Sequence, residues 1–119
     1  MDFHDPLRVL EAARLYGEHC AKIAHDLPRR APAGLRGQLA RAGQSVSDLL
    51  AEGIGRGTVA EKIRYCRLSI GELEESQNQL RRCIKLGLIE EKAFYNSWNL
   101  AVVIHRMQDG LIAHLRRKG

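Results

Sequence analysis

Apolar residues recur at alternating steps of four and three along nearly the whole chain, and strand-like alternation never persists beyond a few residues. That period puts one apolar stripe on each helical segment, and a stripe must be buried against a partner. Prolines and glycines cut the pattern into four pieces. The expectation is an all-α fold, an antiparallel up-down four-helix bundle forming one domain over residues 1–119, with helices at about 6–27, 34–53, 58–86 and 90–116. A chain of 119 residues suits one core that buries roughly two-thirds of the unfolded surface.

The breaks carry local chemistry. Asp5 can cap free amides and Pro6 fits the first helical turn, opening a stripe of Val9, Ala13, Tyr16, Cys20, Ile23 and Leu27. Pro28 and Pro32 bias their predecessors away from helix, so 27–34 reads as a connector. The second stripe runs Leu35, Leu39, Ala42, Val46, Leu49 and Gly53, with small residues between that allow close helix approach. Gly53, Gly55 and Gly57 are expected to end that helix in left-handed conformations. Thr58 and Glu61 have capping-box spacing. The third stripe, Val59, Ile63, Cys66, Ile70, Leu73, Gln77, Leu80 and Ile84, is expected to form the longest element, with Gln77 a buried amide fixing register. After Gly87, Leu88 and Ile89 are placed to pack back, and Glu90 and Glu91 put negative charge at the next N-terminus. The fourth segment has two stripes, one of Phe94, Trp98, Ala101, Ile112 and Leu115, the other of Leu100, Val103, Ile104, Met107 and Leu111. One bundle core uses one stripe per helix, so the surplus implies a wide core-facing surface or a subunit interface, and a homo-oligomer is the expectation.

Several function classes fall away. No apolar run approaches the roughly 20 residues that span a bilayer, and the N-terminus lacks an apolar secretory segment, so a cytoplasmic location without membrane contact is expected. Cys20, Cys66 and Cys83 are odd in number and widely spaced, unlike a disulfide framework or a metal motif. His4, His19, His25, His105 and His114 include no pair four residues apart, and His105 reads as a hydrogen-bonded core histidine. Glu52, Glu72 and Glu74 lack the Glu-x-x-His pairing of di-iron bundles; Glu72, Glu74 and Glu75 read as solvated or interhelix ion-pair residues. The glycine-rich run 53–58 has neither a preceding strand nor a following Gly-Lys-Ser/Thr, and helix capping accounts for it. No enzyme, metal or cofactor is expected.

Charge points elsewhere. Nineteen Lys and Arg against 14 Asp and Glu leave +5, which suits a polyanion partner such as RNA or DNA. Arg64, Arg67, Arg81 and Lys85 fall along one flank of the third stripe as a linear basic track. Arg29, Arg30, Arg36 and Arg41 add charge around the second helix, Arg56 stands at its end, and Arg116, Arg117 and Lys118 close the chain. The six aromatics, Phe3, Tyr16, Tyr65, Phe94, Tyr95 and Trp98, fall largely on buried stripes, so contact is expected with the phosphate backbone and not by base stacking. A merely solubilising charged face is the competing reading.

The segments Leu35-x-x-Gln38-Leu39-x-Arg41-Ala42-x-x-Ser45-Val46, Leu50-Ala51-Glu52-Gly53-x-x-Arg56 and Ser69-Ile70-x-Glu72-Leu73-Glu74, with Leu27-Pro28 and Lys85-Leu86-Gly87-Leu88-Ile89, resemble the 23S rRNA-intervening-sequence proteins. The resemblance spans the first helix to the start of the fourth. Leu49 stands where that family often has Asn, which removes a polar contact of the second helix. The resemblance implies a four-helix bundle assembled as a homopentamer. It also implies kinship with accessory proteins of diversity-generating retroelements, basic pentameric barrels that bind nucleic acid and a reverse transcriptase. No enzymatic activity is implied. A protein-interaction scaffold or adaptor, for example for a reverse transcriptase, is the alternative to direct nucleic-acid binding.

Overall fold

A computed structural model of the chain describes residues 5–118; Phe3 and His4, counted above among the aromatics and histidines, lie outside them. Four helices make up the described chain, α1 (Pro6–Asp26), α2 (Leu35–Ile54), α3 (Val59–Lys85) and α4 (Glu91–Lys118), and no strand occurs among the described residues. α4, at 28 residues, exceeds α3 at 27, so the longest element is the last and not the third. Each helix packs on two others, α1 on α2 and α4, α3 on α2 and α4, which is the square cross-section of an up-down bundle. At one end of the bundle Arg30 in the α1–α2 connector donates to the Gly87 carbonyl (3.0 Å) between α3 and α4.

Local signals act much as their chemistry dictates, with two differences. Asp5 accepts from the Leu7 amide (3.0 Å), and Thr58 accepts from that of Glu61 (3.2 Å). Glu61 does not return the bond; its carboxylate pairs with Arg64 Nε at 2.7 Å. At the end of α3, Gly87 takes φ 68° and the Leu88 amide donates back to the Cys83 carbonyl (2.9 Å), closing the helix with buried Leu88 folded over it. The α2 terminus differs from expectation, because Gly34 and Gly87 are the only described residues with positive φ. Gly55 ends α2 in right-handed geometry. Gly53 is needed for space: a Cβ there would lie 2.7 Å from the Tyr65 Cβ on α3.

The same crowding recurs between α1 and α2. A Cβ on Gly43 would sit 2.5 Å from the Cys20 Cβ, and one on Gly17 would lie 3.3 Å from the Gly43 carbonyl oxygen. Backbones that close let α3 turn a small, polar face inward. Its buried line is Cys66, Ser69, Leu73, Ser76, Leu80 and Cys83, whereas Val59, Ile63, Ile70, Gln77 and Ile84 of the expected stripe are half-buried. Gln77 is therefore not the buried amide; Gln79 and Gln108 are. On α2 the third buried leucine, after Leu35 and Leu39, is Leu50, with Leu49 half-buried.

Each buried hydroxyl is satisfied. Ser69 donates to the Val46 carbonyl on α2 (2.7 Å) and accepts from the Gln108 amide on α4 (2.8 Å). Ser76 donates to the Leu73 carbonyl (2.7 Å), which leaves its oxygen to accept the Tyr16 hydroxyl from α1 at 2.6 Å. α3 is thus hydrogen-bonded through the core to all three other helices.

Both stripes of α4 enter this core. Phe94, Ala101 and Ile112 are buried from one, Ile104, Met107 and Leu111 from the other, so the surplus is mostly a wide core-facing surface. Tyr95 (54 % exposed) and Val103 (45 %) remain outside.

Gly43→Ala is expected to lower stability by about 1–3 kcal/mol through overpacking against Cys20. Gly71→Ala, with nothing within 4 Å of the new Cβ, should raise it by about 0.5–1 kcal/mol through helix propensity. Urea unfolding followed by circular dichroism measures both, and equal effects at the two sites would refute the close-approach account.

Candidate nucleic-acid interface

The twelve candidate cations divide by what already holds them. A helix C-terminus presents unpaired carbonyls and the negative end of the helix dipole, so nearby cations are drawn there first. Arg36 serves α1, donating to the carbonyls of Ala24, His25 (3.0 Å) and Leu27 (2.8 Å). Arg30 serves α3 through the Gly87 carbonyl. Lys62, which the charge pattern did not single out, serves α2 by donating to the Ile54 carbonyl at 2.8 Å.

Others are neutralised by carboxylates. Arg41 pairs with Glu72 across α2 and α3 (3.1 Å), an interhelix bond that the acidic run on α3 foretold. Arg64 pairs with Glu61 (2.7 Å), and this bond holds the Glu61 carboxyl below the usual range. Arg56 pairs with Glu52 (2.6 Å), donates to the Tyr65 hydroxyl (2.8 Å) and lies over that ring, 4.8 Å from its centroid. Arg81 stacks on Trp98 at 5.0 Å. Among the described residues, Arg29, Arg67, Lys85, Arg116, Arg117 and Lys118 make no side-chain hydrogen bond or ion pair, and all six are exposed.

The linear track of α3 is accordingly discontinuous. Arg67 stands near one end of the helix and Arg81 and Lys85 near the other, with exposed Glu74 between them on the outer face. Arg82, exposed beside Arg81 and donating to Gln79 Oε1 at 3.3 Å, adds a cation that the sequence pattern passed over. Its signal was available: at about 100° per residue it points to the same solvent side as Arg64.

The remaining reactive groups do not converge. Among the described residues no three His, Cys, Asp or Glu side chains are placed to hold a metal. His105 is not a core residue. Its side chain is 38 % exposed, with Nε2 3.9 Å from Asp109, because the buried arc of α4 centres on Ile104 and Gln108 and leaves position 105 at its edge. Cys20, Cys66 and Cys83 are free and buried. Burial pushes the Cys20 and Cys66 thiols up to about 12 and raises that of Cys83. Protonated, enclosed thiols are poor nucleophiles and poor metal ligands. No described helix is long and apolar enough to cross a membrane.

With four helices, the capped ends and the Ala-Glu-Gly close of α2 in place, the family model described as 23S rRNA-intervening sequence protein matches residues 5–110. The chain belongs to that family. A crystal structure from Bacteroides thetaiotaomicron, described as a protein with unknown function from the S23 ribosomal protein family, superposes with a TM-score of 0.84. It is 16 % identical and the match covers 91 % of this chain and 97 % of that one, a likeness of fold. No curated protein matches in sequence. Family and fold are thus established, and neither carries an assigned activity.

The thiols give a pH dependence. In the unfolded chain they titrate near 9, in the native one near 12 for Cys20 and Cys66. Between those values the native state holds more protons, so stability falls as pH rises through that window. The expected outcome is a Tm constant up to about pH 8 and falling toward pH 11, with a Cys20→Ser, Cys66→Ser variant showing a shallower decline. An equal decline in the variant would show that the thiols do not cause it.

Proposed function

We propose that this protein works without catalysis, as a self-assembling bundle that offers cationic surface to the phosphate backbone of RNA or DNA. One observation carries the nucleic-acid reading: six of the twelve candidate cations remain exposed and uncommitted after helix ends and carboxylates have been served, in a chain of net charge +5. Cations without protein partners are the ones that can replace condensed counterions on a polyanion at little cost. Arg30, Arg36, Arg41, Arg56 and Arg64 drop to structural roles in this reading, since using them would open a bond that the fold already makes.

Self-assembly, with the homopentamer implied by the family resemblance as its form, is supported by large apolar side chains that the monomer leaves in solvent. Leu7 (67 % exposed) and Leu15 on α1, and Tyr95 and Val103 on α4, stand outside the core. The same Tyr95 and Val103 favour a second reading, an adaptor for a nucleic-acid enzyme such as a reverse transcriptase, in which the partner protein covers them and no nucleic acid is bound directly.

Titration of a structured RNA at rising salt separates the two. Binding that weakens steeply between 50 and 200 mM salt is expected, at a slope near −0.9 per phosphate neutralised. Replacing Arg67, Lys85, Arg116, Arg117 and Lys118 by Gln should lower the slope by about one unit per engaged cation, alike for every sequence. Arg36→Gln should instead lower the Tm and leave the slope unchanged. Absence of binding at low salt removes the nucleic-acid reading and leaves the adaptor. For assembly, light scattering at micromolar concentration is expected to give about five times the 13.4 kDa chain mass; a monomer there defeats it.

A further inference from the structure

All four helices meet around a cavity of about 170 Å³ at the end of the bundle where α2 and α4 finish. Its lining is largely apolar, with Leu50, Ile54, Cys66 and Leu111 on it, and its polar side chains are those of Lys62, His114 and Lys118. We infer that this cavity is a ligand site for a small amphipathic carboxylate, an anion with an apolar body of about six to eight carbons.

Three observations carry it. The size is right: an enclosed apolar cavity of about 150 Å³ accommodates a benzene ring. The charge is right as well. Lys62 is half-buried and its ammonium has three donors, of which one is engaged, by the Ile54 carbonyl at 2.8 Å. Two donors are left at the edge of an apolar space, where a hydrogen-bonded anion is held more strongly than in open water. The local acids are also taken, Glu52 by Arg56 and Glu61 by Arg64, so among the described residues Lys62 and Lys118 have no carboxylate partner. Cys66 on the lining stays a neutral thiol, its Sγ 3.7 Å from the Gln108 carbonyl oxygen, and adds no competing charge.

The inference shares Lys118 with the nucleic-acid reading but does not rest on it, because the site needs an apolar body that a phosphate backbone does not offer. Calorimetric titration of the full chain with octanoate, in parallel with 1-octanol, tests it. Octanoate is expected to bind saturably, one per chain, and octanol about tenfold or more weakly, the factor that one charge-assisted hydrogen bond provides. Lys62→Gln with Lys118→Gln should reduce octanoate to the affinity of octanol while octanol is unaffected. Leu115→Trp, at a half-buried position on the lining, should close the cavity to both. In the unaltered protein, octanoate should shift the methyl resonances of Leu50 and Leu111 and leave those of exposed Leu7 and Leu15 in place. Equal affinity for octanoate and octanol, no saturable octanoate binding, or shifts confined to the surface leucines would each overturn the assignment.

Discussion

Close backbone approach along α2 governs the rest of the molecule. At Gly43 and at Gly53 a single added carbon would collide with Cys20 and Tyr65, so α1 and α3 both lie against α2 at a distance that no larger residue permits. That distance lets a serine on α3 do what serine seldom does in a core. Ser69 reaches the Val46 carbonyl and in turn receives Gln108 from α4, so a short side chain spans the gap between three helices. Were the helices separated by leucines, the hydroxyls of Ser69 and of Tyr16, whose partners all lie on other helices, would be buried without them, at a cost of about 1–3 kcal/mol each. Small residues and polar bonds are therefore one device. Glycine brings the helices together and the hydroxyls then specify which residue faces which, a register that an apolar seam alone leaves free to slide.

The period of the apolar residues made the fold class legible, together with the helices' approximate limits, because stripes and breakers depend only on local spacing. Asp5, Thr58, Gly87 and Leu88 were legible for the same reason. The rotation of α3 was not. Spacing favours Ile63, Ile70 and Ile84 as part of its core face, since they continue the apolar stripe of Leu73 and Leu80, and a sequence gives no sign that Ser69 and Ser76 will find partners on other helices. Gln77 and His105 were misplaced by the same reasoning, being assigned from a stripe whose true centre lay one residue away. Gly53 was read as a helix terminator when its role is to admit Tyr65, a contact twelve residues distant and invisible to local rules.

The candidate interface was legible as a set of charges and not as a set of available charges. Counting arginines gives a track along α3, but each arginine is first claimed by the nearest orphan carbonyl or carboxylate. In an antiparallel bundle those claims concentrate at the two ends, where helix C-termini gather. Arg36, Arg30 and Lys62 each answer the end of a different helix, and none of these partnerships can be read from sequence because the donor belongs to another element.

A protein of net positive charge tolerates its own cations because helix ends and carboxylates take up part of them. Acids neutralise part of the charge, Arg41 with Glu72 across α2 and α3 being the pair that crosses a seam, while the dipoles absorb charge at the ends. What remains exposed is the portion that folding does not need. Arg116, Arg117 and Lys118 show the limiting case: they occupy the last turn of α4, where a cation is stabilised by the dipole even without a hydrogen bond, and Lys118 also lines the four-helix cavity. The end of the bundle thereby combines an electropositive rim with an apolar interior. That combination arises from two separate folding requirements, the neutralising of helix C-termini and the tapering of a core whose helices stop at different heights.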